Sequence, residues 1–359
     1  MTDTAPLARA FDIQAGACAA FGSPFSGALL AFAARDIEAG GVMAPVLAPW
    51  AGVSTRTLME EAVPIRWLGA VHDLVLSGAA PDLAAAWPAP GRAVDADAAW
   101  RAARGAMISS PAPFAAFMSH EPQTNEVRRS ACLLPGFLTV SAGTGLPLRL
   151  FEIGASAGLN QLWDRYHYDY GGAGTWGDAA SPVRLEAAWT GVPPPLAGTV
   201  SVLSRAACDR KPVDLADPAS RRRLKAYVWA DQFDRLARLD AAIALGLAAR
   251  TRPDAADAVT WTARCADPRR GAVTVLFHSV FWQYLPTDSQ TALRQVIDDL
   301  GERAGPEAPF AWLRMEPMPR NLATVELRLT LWPGGEDRLL AHVHPHGASV
   351  DWDPPSAAA

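Results

Sequence analysis

The sequence predicts an α/β protein in which a mostly parallel sheet is closed by an antiparallel hairpin and preceded by an α-helical amino-terminal domain. Three observations predict it. Residues 1–110 carry helical spacing and nothing that alternates like a strand. Residues 148–153 (LRLFEI) and 272–278 (AVTVLFH) are short apolar runs suited to burial on both faces of a parallel sheet, and a glycine turn follows the first. Residues 326–332 and 338–344 alternate around Pro333-Gly334-Gly335-Glu336-Asp337, which is a hairpin signal.

The chain of 359 residues is long enough for two domains with substantial cores. We expect a helical domain over 1–140, an α/β domain over 141–352 with an insertion at about 171–218, and a frayed, disordered tail over 353–359. In the helical domain, helices are expected within 1–35 (broken at Gly22-Ser23-Pro24, where proline lacks a backbone donor), at 57–77 and at 95–107, with a loop over 78–91. Later, Asp217 or Ser220 caps a long helix to about Leu245, 258–262 reads as a strand, 287–303 as an amphipathic helix and 310–316 as a buried strand.

Half of the residues are hydrophobic and the net charge is −5, which argues against non-specific binding to nucleic acid or to an anionic membrane. Arg221-Arg222-Arg223 fits a solvated helix face better than a phosphate site. The four cysteines are scattered without a C-x-x-C pair, as in a reducing compartment. The charge-free stretch 13–34 contains Gln14, Pro24 and many small residues, too weakly apolar for a membrane span, and no secretory signal precedes it. A soluble, cytoplasmic protein is expected.

Function is written most densely into residues 148–172, LRLFEIGASAGLNQLWDRYHYDYGG. An apolar strand carries Glu152, turns through Gly154, Ala155, Ser156, Ala157 and Gly158, and enters a helix with Leu159, Leu162, Trp163 and Tyr166 on one stripe. Residues 166–170 read as the next strand, ending near Asp169. Strand, glycine turn and helix open a ligand site at the carboxyl end of a parallel strand. Three readings share the shape. In the favoured one, Glu152, Gly154, Ser156, Gly158 and Asn160 bind S-adenosylmethionine (SAM), with Asp169 on the ribose and Ser156 in place of the middle glycine. In the second, Gly154-Ala155-Ser156-Ala157-Gly158 is a G-x-S-x-G elbow with Ser156 as nucleophile and His278 or His346 as base; no HGGG-type oxyanion loop precedes it. The third is a turn with no site, or a non-catalytic binding module.

Downstream, the run FHSVFWQYLP places His278, Ser279, Trp282, Gln283 and Tyr284 at the carboxyl edge of the sheet. His278 is the candidate general base, because imidazole titrates near neutral pH, and a hydrogen-bonded structural histidine is the alternative. Ser279 is a candidate cofactor contact, and Trp282 and Tyr284 fit a sulfonium, an adenine ring or plain packing. Upstream, Thr124 is expected to cap a helix from Asn125, while Gln123, Asn125 and Glu126 close over cofactor or substrate. His342, His344 and His346 form an H-x-H-x-H run without a recognisable acidic or cysteine partner, so no metal is expected. Asp209 and Asp214 read as turn formers.

A parallel sheet finished by an antiparallel hairpin resembles the Rossmann-type fold of class I methyltransferases. The segments QTNEVRRS (123–130), EIGASAGLNQLWDRYHYDYG (152–171), LKAYVWADQFDRLARL (224–239), FHSVFWQYLP (277–286) and HGASVDW (346–352) together resemble the bacterial domain-of-unknown-function 2332 family. The resemblance spans most of the chain and implies a SAM-methyltransferase-like fold without an established reaction. The expected activity is methyl transfer from SAM to a small-molecule or other acceptor, with no nucleic-acid or membrane partner.

Overall fold

The computed structural model describes residues 4–318 and 321–353. The tail expected from Asp353 lies, past that residue, outside the described residues. The chain divides into two compact units: Met1–Thr124 with Asp217–Ala237, and Asn125–Ala216 with Arg238–Ala359.

The first unit is helical: α1 (Ala5–Ala20), α2 (Pro24–Glu38), α3 (Met43–Val46), α4 (Thr55–Glu60), α5 (Val63–Leu76), α6 (Pro81–Ala86), α7 (Ala96–Ser109) and α8 (Pro111–Met118). Proline opens α1, α2, α5, α6 and α8 at the first or second position, where its missing N–H costs nothing. The same rule splits the helix expected at 57–77. Ala62 turns left-handed at φ +52°, and a new helix starts around Pro64. The loop expected at 78–91 holds α6. At the core, Trp67 packs against Phe11 and Trp100, each ring 6.0 Å away.

The long helix expected from Asp217 to about Leu245 is two helices, Pro218–Ala226 and Phe233–Ala248. Asp217 caps the first, accepting from the N–H groups of Ala219 and Ser220. The break serves buried polar groups elsewhere in the unit. Asp231 accepts from Phe25 N–H at 3.0 Å and from the Ser23 hydroxyl, so it caps α2 from more than 200 residues away. The Val228 carbonyl meets His72 Nδ1 at 3.0 Å, and burial lowers the pKa of that imidazole to about 4.

The second unit contains α9 (Ser130–Thr144), β1 (Leu148–Ile153), β2 (His167–Asp169), β3 (Thr175–Trp176), β4 (Arg184–Glu186), β5 (Ala188–Gly191), β6 (Val202–Asp209), β7 (Asp254–Ala255), α12 (Ala258–Cys265), β8 (Val273–Ser279), α13 (Thr287–Glu302), β9 (Phe310–Met318), β10 (Asn321–Trp332), β11 (Glu336–Val343) and β12 (Ser349–Trp352); the two helices of the preceding paragraph are α10 and α11. The nine-stranded sheet runs β5-β12-β11-β10-β9-β8-β1-β6-β7. Its β7-β6-β1-β8-β9 half is parallel, and β9 to β12 form an antiparallel meander that includes the expected hairpin as β10–β11. The α/β class, with a large and mostly parallel sheet, is as expected.

Four expectations change. The strand expected at 166–170 is β2, but it belongs to a separate three-stranded sheet, β3-β2-β4. The strand beside β1 on the side away from β8 is β6, which lies inside the supposed insertion at 171–218. The expected strand at 258–262 is helix α12, started by Asp257 accepting from Thr260 N–H. Finally, α9 belongs to the α/β unit, so the division falls at Thr124/Asn125 instead of near residue 140. The contact of Gly136 with the sheet explains this: a Cβ there would stand 2.5 Å from Leu313 Cδ1, so α9 lies directly on β9.

No helix among the described residues is long and apolar enough to cross a membrane. The remote cap makes a prediction for the helical unit. Asp231→Ala should lower its stability by about 1–2 kcal/mol in a urea titration, the usual cost of a lost cap with a charged acceptor. Asp214→Ala, which removes only an exposed turn contact to Ala216 N–H, should change it by less than about 0.5 kcal/mol.

Candidate functional site

The turn after β1 departs from ordinary backbone three times, at Gly154 (φ +66°), Ser156 (φ +53°) and Gly158 (φ +72°). A serine in the left-handed region needs outside support. It has it on both sides: Ser156 N–H donates to Asp209 Oδ2 at 2.8 Å, and Ser156 O accepts from Val213 N–H at 3.1 Å. Ala155 N–H donates to the Cys208 carbonyl at 3.0 Å, so the end of β6 holds the turn at two successive residues.

Past the turn, residues Leu159–Arg165 form an irregular 3-10 helix instead of the expected α-helix. Leu159 N–H is taken by Asn125 Oδ1 at 3.0 Å. The carbonyls of Leu159 and Trp163, which α-helical bonding would use, accept from the hydroxyls of Tyr166 and Tyr168. Asn160 is fixed alongside, its Oδ1 accepting from Ser130 Oγ at 2.9 Å.

Glu152 Oε2 and Ser156 Oγ are among the buried polar atoms at this edge that have no hydrogen-bond partner among the described residues. Glu152 is 3% exposed. Burial pushes its carboxyl well above the usual range, the charge of Asp209 pushes the same way, and the Gln161 side chain partly opposes them. Asp209 itself closes β6 beside β1, where a doubly wound sheet places the acid that reads a ribose. It is a turn former as expected, with Oδ1 accepting from Lys211 N–H at 2.9 Å, and also the anchor of the glycine turn. The signal that would have revealed this is β6 itself.

His278 is fully buried and both ring nitrogens are engaged. Trp312 Nε1–H donates to Nε2 at 3.0 Å; since indole is a donor only, Nε2 is bare and Nδ1 carries the proton. That proton goes to Glu316 Oε1 at 2.6 Å. The expected general base is therefore a fixed structural imidazole. Asp169 is also corrected: it lies in the small sheet, with Oδ1 accepting from Gly171 N–H, and not on the strand beside β1. Thr124 does not cap the next helix; Glu126 does, accepting from Arg128 N–H at 3.1 Å at the start of a 3-10 turn. Gln123 falls in the helical unit, whereas Asn125 and Glu126 fall in the α/β unit. The H-x-H-x-H run does not share a strand face, because β11 ends at Val343 and His344 opens a turn closed by Gly347 N–H.

Residues 8–352 match a family profile described as an uncharacterized protein conserved in bacteria. The chain belongs to that family, DUF2332. No curated protein and no solved structure matches it. In this DUF2332 protein, segments far apart in sequence meet around the turn: Asn125 on Leu159, Ser130 on Asn160, and Arg129 on the carbonyls of Ser279 (3.3 Å) and Pro345 (2.9 Å). Ser279 thus joins the site's frame through its backbone.

The raised carboxyl of Glu152 fixes the sign of a pH dependence. The folded chain holds this proton above the ordinary carboxylate value of about 4.3, so its contribution to stability falls as pH rises from there toward the folded pKa. Glu152→Gln, which mimics the neutral acid, should match the wild type near pH 4 and exceed it in denaturation midpoint at pH 8. Equal midpoints at pH 8 would show that burial does not hold the proton.

Proposed function

We propose that this DUF2332 protein is a SAM-dependent methyltransferase whose cofactor binds at the carboxyl edge of β1 and β6. The observation that carries the reading is the junction of Asp209 with the glycine turn, in a parallel half-sheet ordered β7-β6-β1-β8-β9. A turn that brings backbone close to a ligand, with an acid at the end of the adjacent strand, is the arrangement that receives an adenosyl group in doubly wound sheets.

The residues fit that group in part. Asp209 offers carboxylate lone pairs to a ribose diol, in the role the sequence assigned to Asp169. The unsatisfied Ser156 Oγ and Glu152 Oε2 supply polar atoms that need partners. The face of Gly154 is covered by the protein's own Phe281 ring. When bound, SAM supplies an electrophilic methyl group. The chain's contribution is to orient the two reactants, which alone accounts for a large part of the barrier in such reactions. His278, with both nitrogens committed, positions the edge of the sheet and moves no proton.

One feature favours the hydrolase reading, the left-handed backbone of Ser156. Its Oγ has no base within hydrogen-bonding distance among the described residues, so the activated nucleophile that the reaction needs is not assembled. The test is a thermal-shift titration with SAM and S-adenosylhomocysteine, with ATP and NAD as controls. Ligand at one hundred times its dissociation constant should add roughly 2.7 kcal/mol, a rise of a few degrees for a chain this long. Asp209→Asn should abolish that rise. Absence of any shift at millimolar ligand would refute the cofactor, and fluorophosphonate labelling lost in Ser156→Ala would put the hydrolase in its place.

A further inference from the structure

We propose that Phe281 is the gate of the adenosyl site, closed over Gly154 by a latch made of Glu316 and His278. This rests on the cofactor reading above. A Cβ built on Gly154 would stand 2.1 Å from Phe281 Cδ2, so the ring covers the glycine that a cofactor must approach. Ring and ligand cannot occupy that face together.

The segment that carries the ring holds a strained residue. Val280, a β-branched residue, sits at φ +51°, a conformation that persists only when its surroundings impose it. Val280 N–H is held by the Met315 carbonyl at 2.8 Å, and one carboxylate holds the residues that follow. Glu316 accepts from Phe281 N–H at 2.9 Å and 3.1 Å, from Trp282 N–H at 3.2 Å, and from His278 Nδ1–H at 2.6 Å. Trp312 sets the His278 tautomer, and the Trp282 ring stacks on His278 at 5.7 Å and 22°. Phe281 and Trp282 are part-buried and pack against the core of the α/β unit, while Tyr284 is 70% exposed. Beyond the loop, Gln290 holds the Trp282 and Leu285 carbonyls at 3.2 Å and 3.0 Å, so movement is confined to the first residues after β8.

A site closed in all but a fraction of molecules binds its ligand more weakly by that fraction. Removing the ring should therefore tighten binding, the opposite of what loss of a ligand contact does. The measurement is isothermal titration of the full chain with S-adenosylhomocysteine, comparing wild type, Phe281→Ala and Phe281→Leu, with circular dichroism melts confirming folding. Phe281→Ala should bind about tenfold more tightly and Phe281→Leu by an intermediate factor; Glu316→Gln should tighten binding in wild type but add nothing to Phe281→Ala. If Phe281→Ala fails to fold, Phe281→Leu decides. Wild-type binding with equal or weaker binding by the variants overturns the gate and leaves the cofactor standing. No binding by wild type or variants at millimolar ligand overturns both.

Discussion

The carboxylate of Asp209 is the contact on which the geometry of the sheet's edge depends. Ser156 occupies a backbone region that glycine enters freely and serine does not. The charge-assisted hydrogen bond from its N–H to Asp209 offsets that local cost and ties the turn after β1 to the end of β6. This tie acts together with Ala155 N–H on the Cys208 carbonyl and Val213 N–H on the Ser156 carbonyl to fix the turn. The parallel register of β1 on β6 sets where Asp209 lies: Ile153 stands opposite Cys208, so the next residue on each strand opens toward the same edge.

Burial then dictates much of the rest, because a buried donor or acceptor must be answered. The hydroxyls of Tyr166, Tyr168 and Tyr170 each find a backbone carbonyl, at Leu159, Trp163 and Ala131. Two of those bonds consume carbonyls that an α-helix would have used, which is why the glycine turn leads into an irregular 3-10 segment. Glu152 is the exception: burial raises its carboxyl pKa, and Oε2 has no hydrogen-bond partner among the described residues. Neutral carboxyl groups are tolerated in a sheet interior where an anion facing Asp209 would not be.

Apolar runs and turn residues made much of the fold legible. The strands at 148, 272 and 310, the closing hairpin and the helical start of the chain all follow from patterns that packing rewards. β6 was obscured because Ser204 and Arg205 interrupt it; only the structure shows Arg205 spent on the Gln161 carbonyl and on Asp164, so its charge does not forbid a central strand. Placing 171–218 in an insertion moved the ribose acid to Asp169, at the end of the strand read as following β1. The 258–262 segment was misread for a related reason: Trp261 and Thr262 are buried on a helix whose cap, Asp257, resembles any loop aspartate. Glycine and serine positions in the site were legible, while their partners, drawn from residues 125, 209, 281 and 316, depend on tertiary pairing that no local pattern records.

His278 shows how position at a strand's carboxyl end differs from function there. It sits on the edge where a base belongs. The indole of Trp312 and the carboxylate of Glu316 nevertheless claim both nitrogens, and the Arg294 and Arg314 guanidinium groups lie over that same indole at 4.5 Å and 4.0 Å. Cations over the ring make its N–H a stronger donor, which deepens the preference for the Nδ1–H tautomer. The imidazole is thereby turned into a rigid link between two strands and the loop that follows β8. Methyl transfer from a sulfonium makes modest demands for proton movement and strict ones for alignment, so a histidine spent on rigidity is consistent with the chemistry proposed here.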